Sequence, residues 1–240
     1  MTMSRRRIWA IVRKEIREYR RNRSILVAMA ILPAIFIIEP LVAVLGLTAA
    51  ASSTLRHEHV LLYLLGIPTL VPPVLAATAV AGERQQGTLE PVLTTPIRRE
   101  EFLIGKALAA FVPSVAVAYL VFALFLALVA LFAAPGIASG LVQGSDLLAQ
   151  VLFTPLLVTW SIWVGIAVST RSSDVRVAQQ LGIVASLPAV FVTALIALNV
   201  VPPTLGLGAG AAVVLILLDG VGWQITSRLF DRERLIANPG

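Results

Sequence analysis

Two carboxylate residues stand inside long apolar stretches and are the first candidates for chemistry. Glu39 lies in the first apolar run of the sequence and Asp219 lies in the last. A charged group at membrane depth costs at least about 2.5–3.5 kcal/mol on insertion scales, so such a residue usually has a defined role. Each carboxylate could line a cation or substrate path, or could be a buried group hydrogen-bonded to a neighbouring helix. The sequence leaves both interpretations open.

Sequence motifs for catalysis are absent. The chain contains no phosphate-binding loop of the form GxxxxGK[ST], no GxSxG and no HExxH, so we expect no catalytic residue on it. His57 and His59 stand two residues apart with only Glu58 between them as a further ligand, so we predict no metal site. We also predict that this chain binds no cofactor. The lack of cysteine excludes disulfides and thiolate chemistry.

The chain has an apolar composition, which limits the kinds of structural element in which Glu39 and Asp219 can lie. Of 240 residues, 58% are hydrophobic and 13% are charged, and the mean hydropathy is +0.90. A water-soluble domain of this size needs more polar surface, so lipid must surround most of the chain. The net charge of +6 comes from basic residues that flank apolar runs, a pattern typical of membrane topology rather than of nucleic-acid binding. We predict one membrane domain, residues 1–240, that binds no nucleic acid.

Six apolar segments are long enough to cross about 30 Å of hydrocarbon as helices. The predicted fold is therefore an all-α integral membrane protein with six transmembrane helices. The predicted spans are residues 25–47, 59–81, 102–132, 147–169, 177–199 and 205–227. The first of them exceeds the core of a cleavable signal peptide, so we expect it to remain as a span.

The distribution of lysine and arginine predicts the orientation of these spans. Nine of these residues lie in 5–23, four in 84–106, two in 171–176 and three in 228–234, which leaves only Arg56. With an even number of spans, the four basic segments share one side of the membrane. The positive-inside rule then places both termini and both basic loops in the cytoplasm, including the tail 228–240. We predict a multi-pass protein of the cell membrane, either plasma or inner membrane.

The N-terminal leader, residues 1–24, has the pattern of an amphipathic helix. Ile8, Val12, Ile16 and Tyr19 recur at helical spacing, and arginine and lysine occupy the other side. We predict an interfacial helix whose apolar stripe lies among acyl chains while its arginines meet anionic head groups. A disordered basic tail that only sets topology is the alternative.

The cytoplasmic loop between the second and third spans, residues 82–101, is expected to contain a short helix parallel to the membrane. Gly87 should end the second span, Thr88 can cap the new helix and Pro96 should end it. Its apolar residues, which could form a knob, are Leu89, Val92 and Leu93, and its charged neighbours are Glu83, Glu90, Arg98 and Arg99. Such an element can dock into a groove on a soluble partner. A solvated turn that only sets topology is the alternative.

One motif in this loop carries a specific resemblance. The motif is Glu83-x3-Gly87-Thr88-x-Glu90-x2-Leu93-x2-Pro96, with Gly105-Lys106 downstream. It resembles the signature of ABC-2 type transporter permeases. Residues 13–18, 171–180 and 230–234 are similar to the family's amphipathic leader, second cytoplasmic loop and tail. Together with six spans, the resemblance extends over nearly the whole chain.

The resemblance implies a half-transporter that works in efflux. Two permease copies would associate, as a homodimer or with a related permease, and a cytoplasmic nucleotide-binding ATPase subunit carrying ATP and Mg would dock under each. The residues predicted to couple to that ATPase are Glu83, Gly87, Thr88, Leu89, Glu90, Leu93 and Pro96. A second cytoplasmic contact is predicted at Arg171, Asp174 and Arg176. The short connection at 199–204 leaves no room for the extra outer helices that many members carry.

Two other classes of function stay open at this point. A self-sufficient secondary transporter or channel would use Glu39 and Asp219 as a proton or cation relay and would need no ATPase. A membrane anchor for a soluble complex would tolerate replacement of both carboxylates. The leading prediction is the permease subunit of an ATP-binding cassette transporter, with the lipid bilayer, the ATPase and a second permease copy as its partners.

Overall fold

The computed structural model of the protein describes residues 3–51, 55, 59–89, 97–197, 200 and 204–229. Every regular element in these residues is helical, in agreement with the predicted all-α fold. The helices in chain order are α1 Arg5–Arg21, α2 Arg23–Leu45, α3 Val60–Gln85, α4 Arg99–Phe132, α5 Ile137–Leu141, α6 Gly144–Arg171, α7 Val175–Ala197 and α8 Leu205–Leu229.

Six of these helices, all except α1 and α5, are long and apolar enough to cross a membrane. Their bounds lie within four residues of the predicted spans. The sequence analysis did not anticipate α5, a single short helix between the third and fourth spans. The end of α7 at Ala197 and the start of α8 at Leu205 agree with the short connection expected there.

Asn22 separates the leader helix α1 from the first span. Its backbone is extended, with φ −92° and ψ 101°, which ends α1. Its Oδ1 accepts hydrogen bonds from the backbone N–H groups of Ser24 at 3.1 Å and Ile25 at 3.3 Å. This side chain therefore caps the first turn of α2. The leader is a separate helix that runs directly into the membrane span.

The apolar stripe of α1 packs on the protein. Ile11, Val12 and Tyr19 are 8%, 1% and 5% exposed and belong to a core shared with α4. The prediction that this stripe lies among acyl chains is therefore wrong for Val12 and Tyr19. The physical reason is Glu15, which lies within the stripe and is 1% exposed. Among acyl chains this carboxylate would be unpaired, whereas the protein places Lys106 beside it.

The second span, α3, is an irregular helix. It begins as a 3-10 helix over Val60–Gly66, continues as an α-helix over Ile67–Ala76 and widens to a π-helix over Thr78–Gly82. Pro72 and Pro73 lie inside the α-helical part and lack the N–H group that an α-helix needs. The dense prolines of the sequence thus correspond to changes of helix type within one span.

Ser169 of α6 forms hydrogen bonds with the backbone at the π-helical segment. Its Oγ donates to the carbonyl oxygen of Ala77 at 2.6 Å and accepts from the N–H groups of Val80 at 3.0 Å and Ala81 at 2.9 Å. In an α-helix, the N–H of Ala81 would bond directly to the carbonyl of Ala77, so the hydroxyl is inserted into that ladder. Segments of this kind occur frequently at functional sites.

Glycines bring α6 and α7 close to α3. A Cβ atom built on Gly165 would lie 2.6 Å from Cβ of Ala76, and one on Gly182 would lie 3.0 Å from Cβ of Pro73. The first distance is shorter than side-chain carbon atoms adopt, and the second is tighter than ordinary contact, so glycine permits this close approach. Because α2 and α4 cover its other sides, α3 cannot shift without moving its neighbours.

Candidate functional site

Four charged side chains form a cluster where α1, α3 and α4 meet. Nζ of Lys106 lies 2.7 Å from Oε1 of Glu15 and 2.7 Å from Oε1 of Glu83, and all three side chains are at most 2% exposed. Lys14 forms an ion pair with Glu83 and is 41% exposed. Two lysines therefore balance two buried carboxylates. We call Lys14, Glu15, Glu83 and Lys106 the charge cluster.

The cluster is stable only as a unit. A buried carboxylate that loses its partner leaves an uncompensated charge, which costs about 3–5 kcal/mol. Burial alone would lower the pKa of Lys14, but its hydrogen bond to Glu83 and the charge of Glu15 outweigh burial and raise the pKa. Lys14 therefore remains a cation at neutral pH, and the balance of charges is kept.

Glu83 stands in the last turn of α3, which ends at the glycine that the sequence identified. Gly87 has φ of 67°, a left-handed conformation that favours glycine. The N–H of Thr88 bonds to the carbonyl oxygen of Glu83 at 2.9 Å, and the N–H of Gly87 bonds to that of Arg84 at 3.1 Å. These two bonds form a Schellman motif. The Thr88 hydroxyl also donates to the Glu83 carboxylate, so Thr88 is a neutral partner of the charge cluster.

The structure changes the interpretation of the apolar loop residues. Leu89 is 6% exposed and packs in the core that α1 and α4 share. It cannot be part of an exposed apolar knob, because this chain already covers its side chain. Glu90, Val92, Leu93 and Pro96 lie outside the described residues.

Glu101 joins the start of α1 to the start of α4 through a hydrogen bond and an ion pair. Its Oε1 accepts from the backbone N–H of Ser4 at 2.7 Å, and its Oε2 lies 3.1 Å from Nη1 of Arg7. The same Oε2 accepts from the backbone N–H of Arg98 at 3.1 Å, so Glu101 also caps the helix in which it lies. The leader helix is therefore held at its first turn as well as at the charge cluster.

The loop between α6 and α7 contains the second predicted contact. Oδ1 of Asp174 accepts from the backbone N–H of Arg176 at 2.6 Å, which makes Asp174 the cap of α7. Arg171 and Arg176 are exposed, and neither has an ion-pair partner among the described residues. Nη1 of Arg84 donates to the carbonyl oxygen of Ser172 at 2.7 Å, so this loop contacts the end of α3.

The two intramembrane carboxylates lie on different parts of the bundle. Glu39 is exposed on α2, on a face where Ile35 and Val42 are 61% and 65% exposed. Asp219 on α8 is half-buried, and its Oδ1 has no hydrogen-bond partner within the described chain. α2 packs mainly on α3 and α4, whereas α8 packs mainly on α6. The structure therefore does not bring the two carboxylates onto one helix pair.

His59 lies at the end of α3 opposite to the charge cluster. Its Nδ1 is 2.6 Å from Oδ1 of Asp146, a buried residue in the first turn of α6. This contact joins the two spans at that end. His57 and Glu58 lie outside the described residues, and within those residues no group of three or more His, Asp or Glu side chains is placed to hold a metal ion.

Sequence reasoning did not identify Glu15 and Lys106 as partners. A signal was present, because Glu15 is an acid within the apolar stripe of α1 and Lys106 is a base at the start of an apolar span. A charge on an otherwise apolar face indicates a partner of opposite sign, since an unpaired buried charge is costly. That reasoning could have paired these two residues across 91 positions of sequence.

Comparison with protein-family models gives one match over most of the sequence. Residues 9–207 match the model described as ABC-2 family transporter protein. A search of curated proteins gives no match. The matched region contains the whole charge cluster and the spans from α2 to α7. The resemblance that the loop motif indicated is thereby confirmed, and the chain belongs to the ABC-2 family of transporter proteins.

Proposed function

We propose that this chain is the permease subunit of an ATP-binding cassette exporter and that residues 82–101 couple it to a separate cytoplasmic ATPase subunit. Membership of a family of membrane transport components supports the permease class. The observation that carries the coupling role is the charge cluster, which joins the base of this loop to α1 and α4. The motif that resembles the family signature lies in the same loop, within the matched residues 9–207.

A force on the coupling loop would pass into three helices at once. Glu83 lies in the last turn of α3, Lys106 in α4 and Glu15 in α1, and their side chains meet in a site where each is at most 2% exposed. Separating them would leave buried charges unpaired, so the three helix ends move together. α3 is in turn packed closely on α6 and α7. This arrangement suits a rigid-body transition that opens a passage alternately to the two sides.

ATP and Mg²⁺ are assigned to the partner subunit. The sequence of this chain has no phosphate-binding loop, which fits a division between a permease and an ATPase. The exposed Arg171 and Arg176 offer that subunit a basic second contact beside the end of α3. Asp174 supports this contact indirectly, because it caps the helix that carries Arg176.

The passage is proposed to lie between two copies of the permease, along α2. Glu39 is exposed at membrane depth, where a carboxylate that faces lipid costs at least about 2.5–3.5 kcal/mol. A second copy placed against this face, as a homodimer or a related permease, would separate Glu39 from lipid and leave it at the edge of a passage. Asp219, whose Oδ1 has no hydrogen-bond partner within the described residues, is the second candidate position on that path.

The coupling proposal predicts that the chain co-purifies in detergent with the ATPase encoded beside it in the genome. Glu90→Lys should weaken that association about tenfold or more, since reversing a charge in a contact surface costs at least about 1.4 kcal/mol. Quantitative pull-down at several ATPase concentrations measures the effect.

Glu233→Lys is the matched control for this experiment. It makes the same charge change in the predicted cytoplasmic tail, residues 228–240, which lies outside the coupling loop and the second contact. The control should retain the ATPase as well as the native chain does. A chain that purifies alone in its native form would instead support a secondary transporter that uses Glu39 and Asp219.

The proposed passage predicts that the Glu39 face of α2 is in contact with water. The sequence has no cysteine, so a single introduced cysteine reports on one position. Val42→Cys lies on this face, and Leu120→Cys on α4 is a matched control because the two native side chains are 65% and 67% exposed. A thiol reacts through its thiolate, which forms in water and not in lipid, so Val42→Cys should react with a water-soluble maleimide at least about tenfold faster. Equally slow labelling of both positions would mean that Glu39 faces lipid.

A further inference from the structure

We propose that the outward face of α1 is a binding site for anionic phospholipid, in which Arg13, Arg17 and Arg20 hold the head group and Trp9 lies beside the acyl chains. The spacing of four and three residues places these arginines on one side of the helix. All three are exposed, and Trp9, four residues before Arg13, is 56% exposed. The opposite side of α1 is occupied by the protein, through Ile11 and Glu15, which are 8% and 1% exposed.

Within the described residues, no acidic side chain pairs with the positive charge on this face, since Arg13, Arg17 and Arg20 form no ion pair there. Glu18, an acid on α1, forms an ion pair with Lys14, with Oε1 of Glu18 3.3 Å from Nζ of Lys14. The guanidinium groups are therefore available to an external anion. Arginine suits a phosphate group in particular, because its planar fork donates two parallel hydrogen bonds.

The shape of this face fits a lipid rather than a free anion. A shallow groove of about 480 Å³ runs along the helix. Its apolar lining comes from Trp9, Val12 and Ile16, and its basic lining comes from Arg13, Arg17, Arg20 and Arg21. A phosphate at the basic edge and the first carbons of an acyl chain on the apolar floor would use both parts. Tryptophan is enriched at this level of a membrane, where its ring meets apolar chains and its N–H meets water.

The position of α1 places lipid within reach. Only Asn22 separates the helix from the span α2, so the end of α1 that carries Arg20 lies at the membrane boundary. The apolar stripe that the sequence assigned to the bilayer is used for packing on α4. Lipid contact therefore falls on the outward face, and a lipid bound there would hold α1, and with it Lys14 and Glu15, against the coupling loop.

The test uses the purified permease alone, so its outcome is independent of the proposed ATPase. The probes are lipid nanodiscs of phosphatidylcholine with or without phosphatidylglycerol, which share acyl chains and differ in head-group charge. We expect phosphatidylglycerol to raise the apparent midpoint of thermal unfolding of the native chain, and native mass spectrometry to show retained phosphatidylglycerol. Both effects should decrease at high salt, because they depend on charge.

The variant Arg13→Gln/Arg17→Gln/Arg20→Gln should bind phosphatidylglycerol about a hundredfold more weakly, since each arginine near an anionic surface contributes roughly fivefold. Arg228→Gln/Arg232→Gln/Arg234→Gln is the matched control, because it removes the same charge from the C-terminal tail, outside α1, the coupling loop and the second contact. The control should bind as the native chain does. Equal unfolding midpoints in phosphatidylcholine alone would show that both variants are folded.

Two results would overturn this inference. One is equal stabilisation of the native chain and the α1 variant by phosphatidylglycerol. The other is an α1 variant that binds phosphatidylglycerol normally but fails to co-purify with the ATPase, which would make this face a protein-docking surface. Replacement of the three arginines by lysine should keep most of the binding, because it keeps the charge.

Discussion

Lys106→Met is expected to destabilise the protein by about 3–5 kcal/mol, because it removes the cation between two buried carboxylates. Glu15 and Glu83 are 1% and 2% exposed, and Lys106 lies 2.7 Å from both. After the change Lys14 is the remaining cation of the charge cluster, and its side chain is 41% exposed. The measurement is the apparent midpoint of thermal unfolding in detergent, together with the yield of monodisperse protein.

A neutral version of the charge cluster provides the control for this prediction. Glu15→Gln/Glu83→Gln/Lys106→Met removes the unpaired charges along with the lysine, and replacing a buried ion pair by neutral groups is often close to neutral in stability. This triple variant should recover most of the loss. Lys14→Met should cost less than Lys106→Met, because Lys14 is 41% exposed and water can partly replace its charge, whereas Lys106 is 2% exposed. If Lys106→Met has the same midpoint of thermal unfolding as the native chain, the charge cluster does not hold α1 in place.

The same triple variant separates stability from coupling. We expect its helices to remain folded while α1, α3 and α4 are no longer joined by ion pairs. If the cluster transmits motion as proposed, the complex with the ATPase should hydrolyse ATP without the matching transport. If transport remains coupled to hydrolysis, the cluster serves folding alone and the coupling loop acts through other contacts.

The spans could be predicted from the sequence because each is defined by its own residues. A run of apolar residues long enough to cross the bilayer, bounded by charges, identifies a span without knowledge of its neighbours. Gly87 was predictable for the same local reason, since a helix end in a left-handed conformation favours glycine. The loop motif that indicated the family is also contiguous in sequence.

The charge cluster could not be predicted in this way, because its residues come from three distant segments. Glu15, Glu83 and Lys106 meet only when α1 lies on α4 and α3 ends beside both. The amphipathic pattern of α1 shows that one side is apolar but not whether lipid or protein covers it. Ser169 is a similar case, since no local feature shows that its hydroxyl enters the backbone ladder of another span.

Gly165→Ala is expected to destabilise the bundle by about 1–3 kcal/mol, the usual cost of overpacking a filled core. An ideal Cβ on this residue would lie 2.6 Å from Cβ of Ala76 and 3.4 Å from Cα of Pro73. Neither atom is the end of a flexible side chain, so α6 and α3 must move apart. The direction of the stability change is informative, because replacing glycine by alanine in a helix otherwise stabilises the helix by about 1 kcal/mol. Thermal unfolding in detergent measures the change.

Gly144→Ala is the matched control for Gly165→Ala, since it makes the same change at the start of the same helix, where a Cβ would meet nothing within 4 Å. It should leave the unfolding midpoint unchanged or raise it. Adding Ala76→Gly to Gly165→Ala removes the atom that clashes and should restore part of the loss, although Ala76→Gly alone weakens α3. Ala76→Gly should thus lower stability in the native chain and raise it in the Gly165→Ala chain. Such a difference distinguishes a steric contact between two spans from a general effect of alanine. If Ala76→Gly lowers stability equally in both backgrounds, the two helices do not meet at this point, and α3 is free to move separately from α6 when the coupling loop is displaced.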